Sequence, residues 1–408
     1  MRVAVFGGGY AGLPLVRALE RTLPEEDEIV LVDASSTHTV RHEVHRVIRR
    51  PSIAEDIAIP FEDLLDRADH RQQQVDEIDP EARTATFADG DTLEFDAGAI
   101  CLGVETEFYD LPGVREHATP LRTIEHAEQI HEQFHETVPA DGHVVVGGAG
   151  LSGIQVAGEI RALADDRGEG VTVTLLEQAA TIAPSFPADI REALRDELDA
   201  QGIDVRTNAT VERADDATIE LAEDDGIEYD QFVWTGGIRS TRAVGTGRPQ
   251  VPSTLRLTDR VFAFGDAARV VDVDGRGAPA TAHTAIRQAP VAAENIRRLL
   301  EYDRTGDGGF EPRLKRYDYD QLGWLVSVGD GAVAKVGPQI LRGKAAVAVK
   351  RSVGAGYLTS VGAVSKAVDL VREEFDLGGK RDDPDSEPEE LDVSDGTEEI
   401  DVSDEREE

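Results

Sequence analysis

A six-residue glycine pattern occurs twice in this chain, as Gly7-Gly8-Gly9-Tyr10-Ala11-Gly12 and as Gly148-Ala149-Gly150-Leu151-Ser152-Gly153. Each copy follows an apolar run, Arg2-Val3-Ala4-Val5-Phe6 in one case and Val144-Val145-Val146-Gly147 in the other. Each precedes a helix-forming stretch, Leu13 to Arg21 and Ile154 to Ala164. A second apolar run then ends in an acid: Asp33 after Ile29-Val30-Leu31-Val32, and Glu177 after Val171-Thr172-Val173-Thr174-Leu175-Leu176. The order is strand, tight turn, helix, strand.

In such a unit the first glycine permits the turn, the second lets backbone approach a pyrophosphate, and the third lets helix pack on strand. The helix N-terminus offers unpaired N–H groups and partial positive charge to phosphates. An acid about 20 residues further on accepts hydrogen bonds from a ribose diol. One copy alone would be weak evidence, because many glycine-rich turns are only turns. Two copies, both with their acids, predict two dinucleotide sites on one polypeptide and electrons passed between two cofactors. A carboxylate at Glu177 repels a 2′-phosphate, and Gln178, Ala179 and Ala180 follow it without an arginine. The second site should therefore prefer NAD(H) to NADP(H).

The expected fold is α/β, with two Rossmann-like dinucleotide-binding domains and a C-terminal α+β module. The first domain is split, over residues 1–112 and 245–318, with the second inserted at 113–244. Each half carries a β insertion: Val75 to Phe95 with a turn at Asp89-Gly90, and Val205 to Tyr229 with a turn near Asp224-Asp225-Gly226. Residues 319–378 form the C-terminal module. It has strands Trp324 to Gly329 and Ala332 to Val336 joined by Asp330-Gly331, and an amphipathic helix from Val361 to Phe375. Residues 379–408 form an acidic tail with too little apolar content to fold.

Composition narrows the function. With 81 acids against 42 bases the formal charge is −39, which argues against nucleic acid, a partner that needs a basic face. A surface adapted to high salt, where screening suppresses self-repulsion, is the better reading of that charge. Cys101 is the only cysteine, so neither a disulfide framework nor a redox cysteine pair is available within the chain. Its place in an apolar strand marks it as a buried, inert thiol. The histidines show no ligand spacing, and no metal is expected. With the first fingerprint strand beginning at Arg2, no signal peptide is expected, and no apolar run reaches the roughly 18 residues of a spanning helix. A cytoplasmic protein, either free or touching the inner face of the cell membrane, is expected.

On these motifs, over roughly residues 1 to 375, the chain resembles the two-dinucleotide-domain flavoprotein disulfide-reductase superfamily. Within it, the chain is most similar to type II NADH dehydrogenases, the single-subunit NADH:quinone oxidoreductases. The resemblance implies FAD at the first fingerprint and NADH at the second. Phe95 to Gly103 resembles the strand leaving the FAD domain, and Tyr229 to Arg239, with Gly236, its partner leaving the NADH domain. Val261-Phe262-Ala263-Phe264-Gly265-Asp266 resembles the second FAD motif, in which Asp266 bonds the ribityl chain or a nearby phosphate. Glu55 to Pro60, after His38, is similar to a segment of type II dehydrogenases.

The implied FAD contacts are thus Gly7, Gly9, Tyr10, Ala11, Gly12, Asp33, Gly103, Gly265 and Asp266. The implied NADH contacts are Gly148, Gly150, Leu151, Ser152, Gly153, Glu177 and Gly236. No residue type here suggests a nucleophile, which fits chemistry carried by cofactors.

The acceptor end departs from the family. Its Ala-Gln-x-Ala-x-Gln-Gln run aligns with Ala282-His283-Thr284-Ala285-Ile286-Arg287-Gln288, and a family glutamate in the second fingerprint helix is here Gln155. His283 to Leu300 reads as a long helix whose N-terminus faces the flavin. Gln288 could bond the flavin edge or quinone, and His283 could protonate reduced quinone or merely cap the helix. Arg287 could steady anionic flavin or pair with an acid. The run Arg41, His42, His45, Arg46, Arg49, Arg50 reads more readily as a solvated helix face than as a substrate mouth.

Four of the six lysines, Lys335, Lys344, Lys350 and Lys366, fall in the C-terminal module. They suit an anionic membrane, or else that face packs in the core or in a homodimer. The leading function is NADH oxidation through flavin with two-electron delivery to a membrane quinone, without ion pumping. A soluble reductase of a ferredoxin or other small redox acceptor, and a non-enzymatic flavin redox sensor, are the competing readings.

Overall fold

The computed structural model describes residues 1–223, 226–245, 247–306, 309–321, 323–360 and 363. The expected helix from Val361 to Phe375 and the acidic tail lie outside the described residues, Ala363 apart, as does the turn at Asp224-Asp225.

Two parallel five-stranded sheets dominate the α/β architecture. The first runs in the order Val261–Ala263, Ala97–Ile100, Arg2–Phe6, Glu28–Asp33, Asp69–Gln72. The second runs Thr119–Pro120, Gln231–Trp234, His143–Gly147, Thr172–Glu177, Asp204–Thr207. In each, the strand leading into a glycine turn is central. Central parallel strands are covered on both faces and must be apolar without alternation. Val3 to Phe6 and Val144 to Val146 accordingly have no exposed surface.

Two three-stranded antiparallel insertions hang from these sheets, Val75–Asp79 with Thr84–Phe87 and Thr92–Glu94, and Val211–Ala214 with Thr218–Leu221 and Ile227–Glu228. In the first, Gly90 takes φ +90° and its N–H donates to the Phe87 carbonyl. The acceptor-side helix runs Ala282–Thr305, longer than its apolar pattern suggests and with Pro290 inside it. It packs along the first fingerprint helix, Gly12–Thr22.

A third sheet, Gly323–Val328, Gly331–Val336 and Gln339–Arg342, is antiparallel and leads into the helix Gly343–Ser360. Its first turn is Gly329-Asp330, one residue earlier than expected, with Gly329 at φ +53°. The turn lies against the second fingerprint helix, Leu151–Arg167. Arg49 bridges the junction, with its guanidinium 2.6 Å from Asp166 and 2.6 Å from Asp330. Lys335 pairs with Asp189, Arg342 with Asp196 and Lys350 with Glu43. Two lysines that could have faced a membrane are therefore paired with carboxylates of the chain. No described helix is long and apolar enough to cross a membrane.

The docking is close enough to reverse an ordinary mutational rule. Alanine for glycine inside a helix normally stabilises by about 1 kcal/mol. A Cβ on Gly158 would meet the Gly329 nitrogen at 2.4 Å. Gly158→Ala should thus lower the thermal midpoint; an unchanged or higher midpoint would contradict this contact.

Candidate functional site

The two glycine turns repeat one another atom for atom in their constraints. Gly7 and Gly148 take φ of +100° and +96°, a region closed to most side chains. A Cβ on Gly12 would sit 1.8 Å from the Gly7 carbonyl oxygen, and one on Gly153 would sit 1.8 Å from that of Gly148. Gly9 and Gly150 have nothing within 4 Å of a would-be Cβ. Each turn is thus clamped at its first and third glycines and open at its second, the side from which a diphosphate approaches a helix N-terminus.

The acids latch these turns. Asp33 accepts the Gly8 N–H at 2.7 Å on one oxygen and the Ser35 N–H at 2.8 Å on the other. Glu177 accepts the Ala149 N–H at 3.0 Å and the Ala179 N–H at 2.8 Å in the same pattern. Each carboxylate oxygen retains lone-pair capacity for a sugar hydroxyl. Gly236 stands against the second turn, 2.7 Å from a Cβ on Gly148, as the Cys101 carbonyl stands 2.4 Å from one on Gly7. Burial pushes the Cys101 thiol up. Ala11 occupies the N-cap of the first helix, and Leu151 and Ser152 are exposed at the start of the second.

An aromatic cluster pins the C-terminal helix to the first turn. Tyr10 meets Tyr357 edge-on at 4.7 Å, and its hydroxyl bonds His42. His38 Nδ1 lies 2.8 Å from the Gly8 carbonyl and so donates to it, leaving Nε2 to accept from the Tyr357 hydroxyl at 2.8 Å. Burial pushes His38 down to about 4, so its imidazole is neutral.

Beside the first turn lies a cationic pocket that motif reading only half anticipated. The Arg41 guanidinium is 3.9 Å from a Cβ on Gly103. Half-buried Arg122, donating to the Val104 carbonyl at 3.0 Å, is lowered to about 10 by desolvation and then by Arg41, with Asp266 opposing. A half-buried guanidinium with an exposed one near enough to lower its pKa fits an anionic ligand. Arg122 carried no sequence signal, being a lone arginine far from either fingerprint.

At the acceptor-side helix Thr281 is the N-cap, accepting from Thr284 N–H at 3.2 Å, so His283 is not the cap. Burial, then Arg287, lower the His283 imidazole, while a bond with the Asp320 backbone opposes. Its Nε2 is buried without a hydrogen-bond partner. Arg287, one turn on, shares that face. Gln288 is buried and accepts the Gly265 N–H at 2.8 Å. It braces the Gly265-Asp266 turn from inside, and Arg248 donates to the Asp266 carbonyl at 2.6 Å.

Apart from exposed Arg41, the basic run from Arg41 to Arg50 is not a solvated face. Glu43, His45 and Arg46 are buried together with Glu159 of the second fingerprint helix. His45 Nε2 is 2.9 Å from the Ser327 hydroxyl and 4.0 Å from Glu159, and Gln155 donates to Ser327 at 3.2 Å. Against its own desolvation, Glu43 is held well below the usual carboxylate range by Lys350, His42, Arg46 and His45. Burial, then Lys350, drive His45 well below its usual value. Burial raises Glu159 to about 7, opposed by Lys350, Arg49, Arg46 and Arg50. The members are far apart in sequence, which is why periodicity could not find the cluster.

Fold and site define a protein with two dinucleotide cradles in tandem. The family model "Pyridine nucleotide-disulphide oxidoreductase" matches residues 1–289, and the chain belongs to that family. Among curated proteins, a Type II NADH:quinone oxidoreductase of Staphylococcus aureus is 26% identical over 402 residues, covering 90% of this chain and 97% of that one. This bears out the resemblance read from the motifs. Among solved structures, NDH2 from Plasmodium falciparum in complex with NADH aligns with a TM-score of 0.80 at 13% identity, over 93% of this chain and 98% of that chain. The sulfide:quinone oxidoreductase of Aquifex aeolicus aligns at 0.73 and 18% identity, over 92% and 94%. At these identities the structural likeness concerns fold alone.

Glu159 gives the junction a pH signature. Between the ordinary carboxylate value of 4.5 and about 7 the folded chain holds a proton that the unfolded chain has released. Stability contributed by this group therefore falls as pH rises through that window and is level above it. Glu159→Gln removes the dependence. Relative to the unsubstituted chain, the variant should gain roughly 1–3 kcal/mol between pH 5 and pH 8 in denaturant unfolding. An equal difference at both pH values would contradict the assignment.

Proposed function

We propose that the chain oxidises NADH and passes two electrons to a membrane quinone, with FAD held at Gly7 to Gly12 and NADH at Gly148 to Gly153, and without pumping ions. The observation that carries this reading is the pair of acid-latched turns, each open at its middle glycine. The curated relative's name supports both the electron donor and the acceptor class.

Gly7, Gly9, Tyr10, Ala11 and Gly12 would seat the FAD diphosphate, with Asp33 on its ribose and Gly103, Gly265 and Asp266 along its other half. Gly148, Gly150, Leu151, Ser152 and Gly153 would seat NADH, with Gly236 beside it. Glu177 would take its ribose diol and disfavour a 2′-phosphate. Bound FAD supplies a two-electron carrier between a nicotinamide and an acceptor. The residues position and neutralise. Arg41 and Arg122 would hold an anionic portion of the cofactor, and Arg287 adds positive charge one turn into the acceptor-side helix. His283, neutral at physiological pH and with Nε2 uncommitted, would carry a proton toward the reduced acceptor. Gln288 acts through the Gly265 backbone rather than on substrate. The domain division at residues 112, 244 and 318 follows the same reading. So does contact of the C-terminal module with the bilayer that holds the quinone, and a cytoplasmic site for the protein. The acidic surface is read as an adaptation to high salt.

An acceptor screen in molar salt, with quinone analogues beside a ferredoxin and oxygen, tests the reading. Quinone should reoxidise the NADH-reduced protein fastest, and His283→Ala should lower kcat for quinone by about a hundredfold with flavin retained. Turnover with a ferredoxin and none with quinones would overturn it.

A further inference from the structure

A cationic groove lies on the far side of the helix Ala282–Thr305. It encloses about 600 Å³ between Pro290 and Glu294 of the helix and the strap Arg313-Leu314-Lys315-Arg316. The strap is bolted down by Asn295, whose amide donates to the Lys315 and Thr254 carbonyls at 2.9 and 3.0 Å and accepts the Lys315 N–H at 2.6 Å. Arg298 completes the lining, donating to Glu294 at 2.7 Å and to the Arg313 carbonyl at 2.6 Å.

The surroundings make this groove unusual. Neighbouring arginines are neutralised: Arg256 by Glu311, Arg260 by Asp303, Arg297 by Glu294 and Arg304 by Asp27. Arg313, Lys315 and Arg316 are exposed, and none is paired with a carboxylate among the described residues. Unpaired cations side by side, on a chain of net charge −39, leave an attraction unsatisfied. Three adjacent positive charges need a ligand with several negative ones, and the apolar wall of Pro290 and Leu314 needs an apolar group beside them.

The chain itself contains such a ligand. Residues 382–408 carry 15 acids and one arginine. Within them a seven-residue motif is written twice, Glu389-Glu390-Leu391-Asp392-Val393-Ser394-Asp395 and Glu398-Glu399-Ile400-Asp401-Val402-Ser403-Asp404. Each copy brings four carboxylates and two aliphatic side chains, to set against three unpaired cations, the Arg298 already on Glu294, and an apolar wall. The 25 residues between Ala363 and Glu389 span up to roughly 80 Å when extended, ample for a chain of this size. Tethering raises the local concentration of the motif to the order of millimolar.

We propose that one copy of this acidic motif docks in cis on the groove formed by Arg298, Arg313, Lys315 and Arg316, with Leu391 or Ile400 against Pro290 and Leu314. The tail then acts as a built-in ligand of the acceptor-side helix.

Carbodiimide cross-linking of the full-length protein at high dilution, read by peptide mass spectrometry, tests this directly, because lysines are so few. The principal new amide should join Lys315 to a carboxylate of residues 389–404 in the same chain. The double substitution Arg313→Glu with Arg316→Glu should cut its yield at least fivefold, and flavin absorbance should stay unchanged to show that the fold survives. Added synthetic peptide of residues 389–404 should compete the link away. The proposal is overturned if Lys315 couples only to Glu294 or Glu311, or if the tail couples as readily to Lys335 or Lys344. It is also overturned if the links run between two chains, or if the charge reversal leaves the yield unchanged.

Discussion

A hydrogen bond from a turn amide to a strand-end carboxylate sets the layout of both halves of this molecule. Gly8 N–H on Asp33 and Ala149 N–H on Glu177 tie the glycine turn to the neighbouring strand. The clamped glycines leave no side chain to pack there, so the turn is held by hydrogen bonds alone, these and the backbone bonds from Gly7 N–H to the Val32 carbonyl and from Gly148 N–H to the Leu176 carbonyl. Once latched, the turn fixes where the helix starts. That in turn fixes where a diphosphate and its ribose must lie. The acid is therefore structural before it is functional, and the two roles use different lone pairs of one group.

Everything else is placed relative to these latches. The Cys101 carbonyl and Gly236 close the back of each turn. The C-terminal helix reaches the first turn through Tyr357 and His38. A buried charge cluster joins the 41–50 segment, the second fingerprint helix and the C-terminal sheet. Burying so many charges is costly unless each is paired. The cluster meets this with Arg46 on Glu43 at 2.9 Å, Lys350 on Glu43 at 3.6 Å, and a neutral His45 between Ser327 and Glu159. The price of this arrangement is pH sensitivity at Glu159.

What could be read from the sequence was what is local. The glycine turns, their strands and their acids fall within about 30 residues and have fixed spacing, so both cradles were legible. So were the central apolar strands and the hairpin at Asp89-Gly90. Long-range electrostatics was not legible. Arg122 meets Arg41 across the fold, and Glu159 meets His45 and Lys350, pairings that no period encodes. Gln288 reads as a ligand-facing polar residue because it is the glutamine kept in the run that resembles the family's. Its inward rotation onto Gly265 depends on the neighbouring turn and has no local signal. The helix Gly343–Ser360 was missed because glycines and β-branched residues weaken its propensity, and packing against the third sheet overrides that.

The central claim is that the two turns serve two different ligands. Gly12→Ala and Gly153→Ala, compared by anaerobic NADH titration of the purified proteins, test it most directly. The account predicts a colourless protein for the first, and for the second a yellow protein that NADH no longer bleaches. A Gly153→Ala protein bleached as readily as the unsubstituted chain, or a Gly12→Ala protein that keeps its flavin, would contradict it.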